Sequence, residues 1–272
     1  LTIGEIDGLP ALVVLEGGWR DEYARTISER GLEVLSIRED DLSFLAQVPR
    51  LRGLVLNGGG VRDLSPVARL GALETLTLNT PSKPKLPLDF GAFGALKTLR
   101  MYWNPGFESV FDCGSLESLF VFGPPDADLT RFGAFGRLRR LELSQGRKLT
   151  STAGLGASVR FLGLYQQGAL SELADLPPLE VLAIEGCKQL AEIVTVPTLR
   201  SLKVANCGDI ASLAPLRGLT HLEEFFAWES TRVLDGDLSV LLELPRLRTI
   251  GMRDRREYRP RVAEIEEALQ GR

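Results

Sequence analysis

Histidine is nearly missing from this chain: His221 is the sole one among 272 residues. A Ser-His-Asp arrangement has one candidate base, in a turn just before a leucine-rich string, with no Ser or Cys placed to partner it. Cysteine is scarce too, present only at Cys113, Cys187 and Cys207. That set is too small and scattered for a usual zinc site. It is also the wrong kind of number for a secreted disulfide framework. We expect no metal and no cofactor. Walker, dinucleotide, kinase and metalloprotease signatures are missing. Gly17-Gly18 precedes a helical stretch without the Lys or the full loop of a phosphate site. No apolar run approaches the roughly 18 residues of a membrane span. No signal peptide is visible either, although the chain starts at Leu1 without Met. The net charge of -4 and pI of about 5.3 argue against nucleic acid as the main partner. The expectation is a non-enzymatic, cytoplasmic monomer without membrane or nucleic-acid contacts. Arg outnumbers Lys, which points to a GC-rich, bacterial genome.

What the chain has is leucine at regular intervals. The pattern L-x-x-L-x-L starts at Leu32, Leu51, Leu73, Leu96, Leu116, Leu138, Val159, Leu179, Leu199, Leu222 and Leu247, in steps of 19 to 25 residues. Counting each start as position 1, position 4 runs from Leu35 through Leu99, Leu141 and Leu182 to Phe225 and Ile250. Position 6 runs from Ile37 through Met101, Leu143 and Ile184 to Ala227 and Met252. Side chains alternate across a strand, so these two positions share one face and stack into apolar columns. A third column lies three residues before each start (Val48, Leu70, Phe93, Cys113, Phe135, Gly156, Leu176, Val196, Leu219, Leu244). The segments carrying it are short and rich in Gly and Pro, which predicts turns and 3₁₀ pieces over full helices.

Over residues 32–255 the chain resembles the leucine-rich-repeat family in its short-repeat, bacterial or cytosolic style. The resemblance implies an α/β repeat fold: a right-handed solenoid with one concave parallel sheet, short turns on the convex side and a binding role. The place of the consensus Asn or Cys, position 9, holds Asn104, Cys187 and Cys207, but elsewhere Gly59, Pro81, Pro124, Gly146, Gln167 or Ser230. We therefore expect a patchy buried ladder and variable turns, with Cys187 and Cys207 as buried neighbours lining turns. Residues 1–31 read as a strand–helix cap, with an apolar run at 11–15 and a helix carrying Trp19, Tyr23 and Ile27. Residues 256–272 read as a helical cap carrying Val262, Ile265 and Leu269. The whole is read as one domain. Arg253, Arg255, Arg256, Arg259 and Arg261 form a basic cluster, expected to be solvated and partly paired within the second cap.

Position 2 reads Glu33, Arg52, Glu74, Lys97, Glu117, Arg139, Arg160, Glu180, Arg200, Glu223 and Arg248, alternating in sign at every step but Arg139 to Arg160. Strands lie ~4.8 Å apart, so these heads can meet sideways as a ladder that favours one register. Positions 3, 5, 7 and 8 face outward and would ordinarily be polar. Here they hold Tyr102, Trp103, Phe120, Phe122, Phe161 and Tyr165 with Arg100, Arg140 and Glu142, and further on Phe226 and Trp228. Aromatic side chains grouped on an exposed face mark interaction surfaces. These eleven residues are the candidate partner-binding set, for a protein partner. An immunity or inhibitor protein is one version; a recognition domain of a larger enzyme, its catalytic part outside this chain, is the alternative.

Overall fold

The computed structural model describes residues 1–80, 83–193 and 196–271. The chain forms two compact units, Leu1–Phe122 and Gly123–Arg272.

The first unit opens with a hairpin, β1 (Thr2–Ile6) antiparallel to β2 (Leu9–Val14). Asp7 and Gly8 both take positive φ, 51° and 81°, as a two-residue hairpin turn requires. Helix α1 (Glu22–Glu29) follows and buries Tyr23 and Ile27. Trp19 lies just ahead of the helix and stacks on Phe44 at 4.4 Å. Strands β3 (Val34–Ile37), β4 (Gly53–Leu56), β5 (Thr75–Leu78), β6 (Thr98–Tyr102) and β7 (Ser118–Phe122) then add in chain order, each parallel to the last. The second unit repeats the construction with β8 (Arg140–Ser144), β9 (Phe161–Tyr165), β10 (Val181–Glu185) and β11 (Ser201–Ala205). A short β12 (Asp209–Ile210) precedes β13 (Glu224–Trp228) and pairs with β14 (Arg232–Val233) on the return side. Helix α2 (Val240–Glu243) and β15 (Thr249–Met252) complete the ladder β8-β9-β10-β11-β13-β15. Helix α3 (Val262–Gln270) buries Val262, Ile265 and Leu269 beside α2 and β15. No described helix is long and apolar enough to cross a membrane.

Register follows the motif phase residue for residue. Leu35, Leu54, Leu76, Leu99 and Leu119 are Cα partners in succession, as are Leu141, Leu162, Leu182, Leu202, Phe225 and Ile250. Position 6 is buried throughout except at Met252 on the last strand. The third column is buried apart from Gly156 and Leu176. Each buried Leu contributes roughly 1.5–3 kcal/mol, so the stacked columns are the core. The return segments are 3₁₀ turns, as at Ser43–Gln47, Phe90–Ala92, Glu108–Asp112, Thr130–Ala134 and Ala214–Gly218.

Four return segments share a start signal ten residues ahead of the next repeat. In Asp41-Leu42-Ser43, Asp63-Leu64-Ser65, Asp128-Leu129-Thr130 and Asp237-Leu238-Ser239 the carboxylate accepts the backbone N–H two residues on, while the Leu is buried. The side chain fixes the turn, and the turn drives the Leu inward.

Turn geometry differs between the units. Position 8 is left-handed in six successive repeats of the second unit: Gly123, Gln145, Gln166, Gly186, Asn206 and Glu229. There the N–H of Gly123, Gln145, Gln166, Gly186 and Asn206 extends the ladder by one rung past the strand, as in Gln145 N–H to Tyr165 O at 2.9 Å. In the first unit Glu39, Gly58, Thr80 and Trp103 hold that place with ordinary φ.

Candidate functional site

The buried ladder at position 9 extends to Gln167, where the consensus residue is absent, but not to Pro124, Gly146 or the exposed Ser230. Gln167 Nε2 donates to Leu143 O (2.8 Å) and Tyr165 O (3.1 Å). The single Cys187 S–H has Leu164 O and Glu185 O within reach, and that of Cys207 has Ile184 O and Ala205 O. In each repeat the acceptors are position 6 of the previous strand and position 7 of its own. The long Gln167 fits because Gly146 lies opposite: a Cβ there would sit 2.0 Å from Gln167 Oε1. Both thiols are buried and free, and the hydrogen bond to Cys207 together with burial pushes the Cys187 thiol up. In the first unit Asn104 does similar work. It accepts from Leu86 and Gly106 N–H and donates to Pro84 O, which ties the long loop to the following repeat. Pro81, at position 9 of that loop's repeat, lies outside the described residues.

In the first unit the charge ladder closes from Glu33 to Lys97. Arg52 bridges Glu33 and Glu74, the latter at 2.7 Å, and Lys97 reaches Glu74 at 2.9 Å. The two cations hold Glu74 well below the usual carboxylate range, at about 2. In the second unit only Arg200 to Glu223 closes, at 2.8 Å, among the described ion pairs. Arg139 and Arg160 turn their guanidinium groups to backbone carbonyls, of Ser158 and of Ala157 and Val159. Alternating signs there do not become contacts, because the turn carbonyls before each strand compete for the same donors. In the terminal basic cluster Arg261 pairs with Asp254, and Arg259 binds the carbonyls of Arg256 and Tyr258.

On the outward sheet face of the first unit, Tyr102 and Phe122 are in-register partners with ring centroids 4.4 Å apart. Phe120 is half-buried beside Arg100, which lies 3.9 Å from Asp7. Trp103 departs from the sequence expectation: it is 9% exposed and its ring lies 6.2 Å from Phe111. Trp103 has the parity of the buried Leu99 and Met101, so alternation carried one residue past Tyr102 turns it inward. It belongs to the packing.

On the second unit's face the expected residues form one interlocked group. Arg140 Cζ sits 3.5 Å from the Phe161 ring centre, and its Nε meets Glu142 at 2.7 Å. Tyr165 Oη donates to the other Glu142 oxygen at 3.0 Å. Burial and Glu142 push the phenol up to about 12. The Tyr165 ring lies over Gly163, where a Cβ would stand 2.7 Å from its hydroxyl. Across the face Phe226 and Trp228 pair at 4.6 Å and lie over Gly251 in the same way. Between the groups, β10 and β11 present Val181, Ala183, Glu185, Lys203 and Ala205. The glycine seats at 163 and 251 were missed in sequence; their signal was small residues at an outward position flanked by rings. His221 is exposed beside Thr220. Among the described residues no group of three or more His, Cys, Asp or Glu is placed to hold a metal.

No protein-family model and no curated protein matches this chain. Solved structures similar to it include an internalin from Listeria monocytogenes, 16% identical over 87% of this chain and 85% of that one, with a TM-score of 0.39. A leucine-rich-repeat protein of Leptospira interrogans is 16% identical over 83% and 79%, with a TM-score of 0.41. A plant peptide hormone receptor, RGFR1 in complex with RGF2, is 12% identical over 85% and 57%, with a TM-score of 0.28. The assignment rests on the molecule itself: with its motif phase and strand register coinciding at every described pairing, the chain has the leucine-rich-repeat fold.

Proposed function

We propose that this chain is a protein-binding module whose second unit engages a partner protein on the outward sheet face. The observation that carries the reading is the seating of the rings. Tyr165 and the Phe226–Trp228 pair lie over glycines, and Phe161 is held under Arg140, so large apolar surfaces are presented in set positions. Rings ordered before binding lose little freedom on binding, which is the economy of a hot spot. Tyr102, Phe120, Phe122 and Arg100 offer a further aromatic surface on the first unit.

The test is affinity capture from the native organism's extract, followed by titration of the purified partner against Phe161→Ser and Tyr165→Ser. Each substitution is expected to weaken binding about tenfold or more, corresponding to at least about 1.4 kcal/mol, with the melting temperature unchanged. Undiminished affinity, or unfolding of both variants, would assign the rings to packing and overturn the reading. The captured partner also reads out the role. A toxin or enzyme silenced on binding makes this an inhibitor or immunity protein. A substrate of an associated catalytic domain makes it a recognition module.

A further inference from the structure

Position 7 of the second unit forms a straight row across the sheet. Ser144, Tyr165, Glu185, Ala205 and Trp228 are successive Cα partners on β8, β9, β10, β11 and β13. The two aromatic members lean away from the middle. Tyr165 bends back along its own strand to reach Glu142, and Trp228 leans toward β15, its Nε1 within 2.5 Å of where a Gly251 Cβ would stand. That leaves an open site above Ala205, with the exposed Glu185 carboxylate on one side and the Trp228 ring, 44% exposed, on the other. Two strand spacings separate Glu185 from Trp228, roughly 10 Å at the backbone, which is room for one long side chain.

The cations nearby are committed elsewhere. Lys203 faces Glu224 at 3.9 Å and the Phe226 ring at 5.4 Å. The Lys188 ammonium binds Asn206 Oδ1 at 3.2 Å, and Arg140 is held by Glu142 and Phe161. With Glu142 and Glu224 each neutralised by its neighbour, Glu185 is the carboxylate on the outward face of β8 to β13 that enters no ion pair among the described residues. An unpaired carboxylate beside an open indole ring is complementary to a cation that is also planar. Guanidinium meets both demands, because it binds carboxylate by its fork and stacks on indole by its face; ammonium meets only the first.

We propose that the site above Ala205 receives an arginine side chain of the partner protein, its guanidinium against Glu185 and its face on Trp228. The proposal rests on the protein-binding reading above and names the chemistry of one anchor within it.

The probe is an acetylated hexa-arginine peptide, followed by tryptophan emission. Trp228 is the most exposed of the three tryptophans, since Trp19 is stacked and Trp103 buried. A saturable change is expected for the wild-type chain and none for Trp228→Phe. Glu185→Gln and Ala205→Leu, which remove the charge and fill the gap, should each weaken binding about tenfold. Glu192→Gln, outside the row, should leave it unchanged, and hexa-lysine should bind more weakly. Equal affinity for wild type, Glu185→Gln and Ala205→Leu would reduce the effect to general attraction by an acidic protein and overturn the proposal. The two readings fail separately. If Phe161→Ser and Tyr165→Ser abolish partner capture while Glu185→Gln leaves peptide binding intact, the anchor falls and the binding face stands. If the peptide binds as expected and partner affinity ignores Phe161 and Tyr165, the face falls and the anchor stands.

Discussion

At the scale of single residues, the second unit solves one hydrogen-bonding problem at three places with two kinds of side chain. Gln167, Cys187 and Cys207 each face the same two carbonyl positions, the amide with two hydrogens and each thiol with one. The family consensus recognises Asn or Cys there, so Gln167 reads as a gap in the sequence; only its opposition to Gly146 reveals it as a rung. Gln167→Leu would remove the side-chain donor to Leu143 O and Tyr165 O, the second of which keeps the Gln145 N–H, and should cost about 0.5–1.5 kcal/mol in urea unfolding, with an unchanged m-value. No loss of stability would mean that those carbonyls are satisfied without it. Trp103 teaches the opposite lesson. Its position was read as outward, yet it has the parity of Leu99 and Met101, and alternation past the strand end turns it inward.

At the scale of elements, the turns after the strands separate the two units. The left-handed position carries Gly or Asn at three places in the second unit but Gln or Glu at Gln145, Gln166 and Glu229. A side chain there costs roughly 1–2 kcal/mol, which the additional ladder hydrogen bond offsets. Gln145→Gly is therefore expected to keep or raise the unfolding midpoint. Gln145→Val, branched at Cβ, should lower stability by about 1–2 kcal/mol. Equal midpoints for the two variants would argue against the turn. The N-terminal hairpin was missed in sequence, where residues 1–31 read as one strand and a helix: its signal was the Asp7-Gly8 pair, and β1 is almost wholly exposed with no buried face to read.

At the scale of the whole molecule, acid stability follows from repeated carboxylates. Asp41, Asp63, Asp128 and Asp237 are lowered chiefly by hydrogen bonds from the residue two on. Glu74 is lowered to about 2 by Arg52 and then Lys97. A folded-state value below the unfolded one contributes stability that is complete above the unfolded value and lost as protons bind the folded state. Stability should thus hold steady above about pH 5 and fall between there and about pH 2. Urea midpoints measured across that range check it, and Glu74→Gln should flatten part of the fall. A midpoint insensitive to pH over the interval would contradict these pairings.

The sequence by itself determined the repeat, its phase, the apolar columns and the strand register, because stacking identical short units leaves a leucine one place to go. It also placed most of the aromatic residues on the outward face. Tertiary structure decided which of them are presented and which charges meet. Arg139 and Arg160 found turn carbonyls in place of acidic neighbours. Tyr165 and Trp228 found glycine seats on their own and adjoining strands and left Glu185 bare between them. Those outcomes turn on competition between partners close in sequence and partners a repeat away in sequence but about 5 Å off in space, and motif periodicity does not encode that competition.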